Sequence, residues 1–183
     1  MKCVICKNYS WIDIFNRLST DFVKCDNCGL IRMKIIPTPE EISSYYEKKS
    51  VGGNYSLSYT MSEDHSLDYE SVFKDFVEFT KINSAYPQEQ KLLDIGCFVG
   101  LFLDRIKEHN FITYGVELQP EAAKIASKKH EGRVYSGNIE NCTDFPSNFF
   151  DVVTLFGVIE HVTAPNEILQ QTRIILKKNG TII

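Results

Sequence analysis

From residue 91 to the end of the chain, short apolar runs alternate with segments whose apolar residues recur every three or four positions. Lys91 to Ile95 reads as a buried strand, and Leu101 to His109 as a helix. "FITYGVE" (111–117) is a second strand. "PEAAKIASKKH" (120–130) is a helix with Pro120 in its first turn, cations in its last and Gly132 beyond. "RVYSG" predicts a third strand. "FDVVTLFG" (150–157) is apolar almost throughout, as expected of a strand covered on both faces. "APNEILQQTRIILKKNG" predicts a helix that opens at Pro165, ends at Lys177 and Lys178, and stops at Asn179-Gly180. "TII" begins a fifth strand. This alternation predicts an α/β fold, a doubly wound parallel sheet that binds its ligand at the carboxyl ends of the strands.

Upstream, Leu67, Tyr69, Val72, Phe73, Phe76 and Phe79 recur at helical spacing within residues 62–82, with Ser62 as the N-cap candidate. Their aromatic stripe is expected to be core. Residues 37–61 lack such a period. Pro37 and Pro39 end the preceding strand, "PEEISSYYEKK" suits a short helix, and Gly52-Gly53 breaks it. Tyr45, Tyr46, Tyr55 and Tyr59, with Tyr69 further on, are dense enough for a lid over a ligand, though each alone suits ordinary packing.

The first 30 residues change the picture. Cys3 and Cys6, then Cys25 and Cys28, form two C-x2-C knuckles separated by 18 residues. Two residues between cysteines let both sulfurs face one ion, and two knuckles close a tetrahedral thiolate shell. Such a shell is structural, not catalytic. Zinc is the expected ion, with a rubredoxin-like iron site as the competitor. Gly29 suits the positive φ that follows such a knuckle. The segment between the knuckles can form a hairpin with Trp11 and Phe15 as core. The chain thus divides into a zinc-ribbon-like module (1–36), a tyrosine-rich linker (37–61) and an α/β domain (62–183).

Composition narrows the function. Hydrophobic residues make up 43% and charged residues 24% of the 183, and the net charge is −4. Neither indicates a nucleic-acid or membrane partner. Acidic and basic side chains of residues 1–49 nearly cancel, and metal-bound thiolates would add negative charge, so the module lacks a phosphate-tracking surface. No apolar run reaches spanning length, and the N-terminus lacks a signal-peptide core. Reduced thiolates and these absences point to the cytoplasm.

The chemistry concentrates at "LLDIGCFVG" (92–100). Glycines stand only at 96 and 100, and the third glycine of a dinucleotide fingerprint is missing. Asp94, two residues before the first glycine, is awkward beside a pyrophosphate and welcome beside a cation. Glu117 ends the next strand, where a carboxylate can accept both hydroxyls of a ribose. S-adenosylmethionine offers a cationic part, a carboxylate and a ribose.

These segments resemble the class I S-adenosylmethionine-dependent methyltransferases. "LLDIGCFVG" is similar to their first motif and "YGVE" to their acidic second motif. "FPSNFFDVVTLFGVIEHV" is similar to the fourth-strand segment, and "LQQTRIILKKNGTII" to the helix-to-fifth-strand signature. The N-terminal "CxxC…CxxCGL" resembles the subset with a zinc module, several of whose members methylate sugars or other small metabolites. The resemblance implies a Rossmann-like domain that binds S-adenosylmethionine and methylates a small molecule, such as a sugar or nucleotide-sugar. Asp94, Gly96, Cys97 and Gly100 would lie on the methionine side of the cofactor. Cys97 itself reads as packing. Glu117 would hold the ribose, Leu118 would flank the adenine, and Asn138 and Ile139 would meet its edge. Gly157 would lie near the transferred methyl. Glu160 and His161 match the family's "EH" pair, with His161 the candidate base. Val158 and Ile159 stand where some sugar-modifying members carry a tyrosine.

The family sheet has seven strands, whereas this sequence ends as the fifth begins. The expectation is a fragment or shortened member whose apolar last strand seeks a partner, favouring a homo-oligomer. The alternatives to a small-molecule enzyme are an RNA methyltransferase with a zinc module and a cofactor-binding protein without turnover.

Overall fold

The computed structural model describes residues 1–38, 40–42, 44–45, 63–80, 89–142 and 145–183, excluding the side chains of 63–69 and 79. Most of the tyrosine-rich linker, the Ser62 cap and the side chains of Leu67, Tyr69 and Phe79 lie outside these residues.

The N-terminal part is a three-stranded antiparallel sheet in the order β1 (Trp11–Arg17), β2 (Thr20–Cys25), β3 (Ile31–Met33). The tight β1–β2 turn places Leu18 and Ser19 at positive φ. Phe15, expected in a core, is half exposed and stacks on Phe22 at 4.7 Å. Among the described residues no second layer covers that face, and an aromatic pair across the strands replaces a core. Trp11 is partly buried, its Nε1 donates to the Met1 carbonyl at 2.7 Å, and the Arg32 guanidinium lies 4.6 Å from its ring centre. After β3, the Thr38 hydroxyl accepts from the Glu41 amide at 3.2 Å. Glu41 Oε2 accepts from the Thr38 amide at 2.8 Å, a reciprocal cap for the helical residues that follow.

The second sheet is parallel. Its strands are β4 (Gln90–Ile95), β5 (Phe111–Glu117), β6 (Val134–Ser136), β7 (Phe150–Thr154) and β8 (Leu176–Ile182), in the spatial order β6-β5-β4-β7-β8. The helices are α1 (Glu63–Thr80), α2 (Leu101–Ile106), α3 (Pro120–Lys129) and α4 (Pro165–Ile175). This is the predicted doubly wound α/β architecture. The chain reverses direction across the sheet between β4 and β7, so the loops after these strands face one another.

Strand periodicity sorts the core into two layers. Leu92 and Val152 face Phe76 of α1, Phe102, Leu103 and Ile106 of α2, and Ala126 of α3. Leu93, Ile95 and Val153 face Ile168 and Ile175 of α4. Phe76 meets Phe102 edge-on at 5.4 Å, which ties α1 to the glycine turn's helix. Burying each such ring stabilises the layer by about 1.5–3 kcal/mol.

The last helix corrects an expectation. It stops at Ile175, and Lys177, Lys178, Asn179 and Gly180 belong to β8. The amides of Asn148 and Phe149 capture the Ile174 and Ile175 carbonyls at 3.0 and 2.7 Å. Leu176 then turns extended, and Lys177 Nζ reaches both Asp151 carboxylate oxygens at 2.8 Å. Sheet pairing here outweighs the helix-end pattern. β8 carries a bulge, because Phe150 pairs with Leu176 while Val152 pairs with Thr181.

Candidate functional site

The turn from β4 into α2 is built on alternating left-handed residues. Gly96, Phe98 and Gly100 have φ of 78°, 48° and 80°. Two are glycines, which adopt this conformation freely, whereas Phe98 bears a side-chain cost of about 1–2 kcal/mol. Neighbouring strand ends impose the shape. The amides of Gly96 and Cys97 donate to the Val116 carbonyl at 2.7 and 3.2 Å. The Phe98 amide donates to Glu117 Oε2 at 2.8 Å, and the Gln119 amide donates to Oε1 at 2.7 Å.

Two carboxylates thus end adjacent strands beside the turn. Asp94 is 5% and Glu117 9% exposed. Burial drives the Asp94 carboxyl up to about 7, the 2.7 Å bond from Thr154 Oγ1 opposes this, and the Glu117 charge adds to it. Burial also raises Glu117, against the amides of Gln119 and Phe98. Two buried acids, with no cation paired to either among the described residues, form a site that favours a positively charged ligand.

The loop after β7 reaches this turn. A Cβ on Gly96 would collide with Val158, so Val158 seats directly on that glycine. Gly157 is exposed with φ 64°. Glu160 and His161 lie in a short 3-10 turn, Ile159–His161, and both are exposed. Leu118 is 45% exposed beside Glu117. Asn138 is exposed at the start of the turn Ile139–Asn141. Asp94, Gly96, Gly100, Glu117 and Leu118 therefore gather at the ends of β4 and β5, with Gly157 and the Glu160–His161 pair on the facing loop.

Two predicted lining residues go elsewhere. The Cys97 side chain is buried against Gly115, where an added Cβ would lie 2.5 Å from its sulfur. Burial raises that thiol far above its ordinary value, so it is packing and not a ligand contact. The Ile139 side chain is 2% exposed in the α4-side core, because the 3-10 turn points it inward. Sequence reading passed over Thr154, which looked like an ordinary strand residue and became relevant only once β4 and β7 were paired. His130 was also passed over. It is buried, with Nδ1 2.8 Å from Thr113 Oγ1.

In the N-terminal sheet, the sulfurs of Cys3, Cys6, Cys25 and Cys28 all lie within 4.8 Å of one another. Cys3 and Cys28 are 3.6 Å apart, and Cys6 and Cys25 3.5 Å apart. Tetrahedral Zn–S bonds of about 2.3 Å require sulfurs roughly 3.8 Å apart, so the set fits a closed four-thiolate shell. The Asn27 side chain, then the Asn8 backbone, pull the Cys6 thiol down to about 6. Gly29 takes φ 77° directly after the second knuckle.

Residues 93–183 match the model of a methyltransferase domain family. The ubiquinone biosynthesis O-methyltransferase of Histophilus somni (strain 2336) is 28% identical over 103 residues, covering 51% of this chain and 43% of that protein. The chain thus spans less than half the length of that relative. Among solved structures, the PH0226 protein of Pyrococcus horikoshii OT3 superposes with a TM-score of 0.59 at 22% identity, covering 74% of this chain and 59% of its own. A SAM-dependent methyltransferase from Archaeoglobus fulgidus gives 0.52 at 21% identity, covering 75% and 56%. The likeness to these structures is one of fold. Residues 93–183 thus match a methyltransferase domain in sequence and adopt a Rossmann-like fold.

Proposed function

We propose, from a methyltransferase domain over residues 93–183, that this chain transfers the methyl group of S-adenosylmethionine to a small hydroxylated molecule. The observation that carries the reading is the buried Asp94–Glu117 pair flanking a glycine turn that lacks the third glycine of a dinucleotide fingerprint. Asp94 supplies negative charge on the methionine side, and Glu117 offers acceptor lone pairs for ribose hydroxyls beyond those its amide partners use. Leu118 and Asn138 flank the adenine position. The bound cofactor would supply an electrophilic methyl group, and the chain's main task is alignment.

The acceptor meets the facing loop. His161 is exposed, and its imidazole can remove the acceptor hydroxyl proton. Glu160 beside it suits hydrogen bonding to the acceptor. The O-methyltransferase name of the matched relatives supports an oxygen nucleophile. The resemblance of the cysteine module to sugar-modifying members favours a sugar or nucleotide-sugar. We assign zinc to Cys3, Cys6, Cys25 and Cys28 as a structural ion, and divide the chain at 1–36, 37–61 and 62–183. No described helix is long and apolar enough to cross a membrane. A cytoplasmic location and self-association through the β8 edge belong to the same reading.

The test is calorimetric titration with S-adenosylmethionine, followed by radiolabelled methyl transfer to a panel of nucleotide-sugars and phenols. Binding with transfer to one class supports the reading. No binding, or tight NAD binding instead, overturns it.

A further inference from the structure

The 96–100 turn holds Phe98 in a conformation that its side chain disfavours, so contacts outside the loop must define its shape. The first half hangs from β5 through Val116 and Glu117. The second half hangs from the C-terminal end of α3. Lys129 Nζ donates to the Val99 carbonyl at 3.2 Å and to Asp104 Oδ2 at 2.9 Å. The next residue, His130, is 1% exposed and stands against Gly100, where an added Cβ would lie 3.0 Å from Nε2 and 3.2 Å from Cδ2.

The ring has one satisfied edge and one open edge. Thr113 Oγ1 lies 2.8 Å from Nδ1. Nε2 lies 3.3 Å from Asp104 Oδ1, out of line for a hydrogen bond, and is among the few buried polar atoms without a partner in the described residues. A Thr113 hydroxyl donating to Nδ1 leaves the proton on Nε2, facing the Asp104 carboxylate in the first turn of α2. The charged groups around the ring are Asp104, Lys107 and Lys129; burial dominates and holds the imidazole neutral.

We propose that His130 is a positioning residue for the cofactor turn, its Nε2 edge fixing Gly100 and the first turn of α2. This rests on the reading of residues 96–100 as the cofactor loop. The assignment has a physical purpose. Glu117 holds Phe98 and is also the expected ribose partner, so the first anchor is shared with the ligand. The Lys129–His130 anchor holds Val99 and Gly100 from behind, with no group expected to hydrogen-bond the ligand, and is available in both states.

Two variants separate positioning from packing. His130→Asn keeps a polar atom at the Nδ1 position for Thr113 and removes the edge that meets Gly100 and Asp104. His130→Gln carries an amide to the Nε2 position. Calorimetric Kd for S-adenosylmethionine and thermal denaturation are measured on both with the full chain. The expected result is Kd weakened about tenfold in His130→Asn, which loses the close contact with Gly100 and the Asp104 carboxylate, and near wild type in His130→Gln at similar Tm. Equal Kd in wild type and both variants, or equal loss in both, overturns the assignment. Should His130→Asn fail to fold, Asp104→Asn replaces it, with the same expected weakening and the same overturning result. A wild-type chain that binds no S-adenosylmethionine overturns the cofactor reading itself, a result distinct from either outcome above.

Discussion

The Thr154 hydroxyl donates a 2.7 Å hydrogen bond to Asp94 Oδ1 across the parallel β4–β7 pair, at the point where the strand order reverses. Asp94 thus has a neutral partner and, among the described residues, no counter-ion, and burial raises its carboxyl from 3.8 to about 7.

This fixes a pH dependence. The folded pKa lies above the unfolded one, so Asp94's contribution to stability is complete below about 3.8 and is lost as pH rises through about 7. A cationic ligand reverses the preference, because it favours the ionised acid. S-adenosylmethionine affinity is expected to rise between pH 6 and 8, with proton release detectable by calorimetry in buffers of different ionisation enthalpy. Thr154→Val removes the interaction that lowers this pKa and should move the profile to higher pH. A pH-independent Kd in the wild type would count against the site.

Glu117→Ala removes the acceptor for two loop amides and the expected ribose partner. Losing two bonds to a charged group predicts Kd weaker by roughly 100-fold or more, at about 3 kcal/mol. Glu117→Gln keeps the side-chain shape and should fall between. Unchanged binding in Glu117→Ala would place the cofactor elsewhere.

Gly115 has no side chain because Cys97 fills its space. A Cβ there would lie 2.5 Å from the Cys97 sulfur and 3.2 Å from Val134 Cγ2. Gly115→Ala is expected to destabilise by about 1–3 kcal/mol in urea unfolding. Adding Cys97→Ala should recover part of that loss, and strict additivity of the two effects would contradict this packing.

The chain's one tryptophan, Trp11, begins the strand beside the cysteine cluster. Its emission therefore reports on the N-terminal sheet. A strong zinc chelator should shift that emission while the far-ultraviolet signal of the parallel sheet persists, since structural zinc contributes about 10 kcal/mol or more of local folding energy. Metal analysis should find about one ion per chain, and Cys25→Ser should abolish it. Purified protein with neither zinc nor iron would remove the metal reading.

His161→Asn tests the acceptor side. A base role predicts kcat lowered about 100-fold or more with S-adenosylmethionine Kd unchanged, the range set by general base catalysis. Unchanged kcat would leave His161 structural.

Much of the fold was legible from local pattern. Alternating apolar runs located β4, β5, β6 and β7, since a strand buried on both faces needs apolar residues throughout. The glycines at 96 and 100 were readable as turn residues because positive φ selects glycine directly. The four cysteines were readable because ligand spacing is a local property. The end of α4 was misread because Lys177 looked like a helix-terminal cation. Its partner, Asp151, lies on a neighbouring strand.

The sequence by itself determined the kind of site, two acids and a glycine turn at adjacent strand ends, because strand and turn chemistry is written in neighbouring residues. Only the tertiary structure decided what those groups face. Thr154 on Asp94, Val158 on Gly96, His130 behind Gly100 and Cys97 inside Gly115 join residues 18 to 62 positions apart. Such pairings depend on strand order and helix packing, for which no local pattern carries a signal.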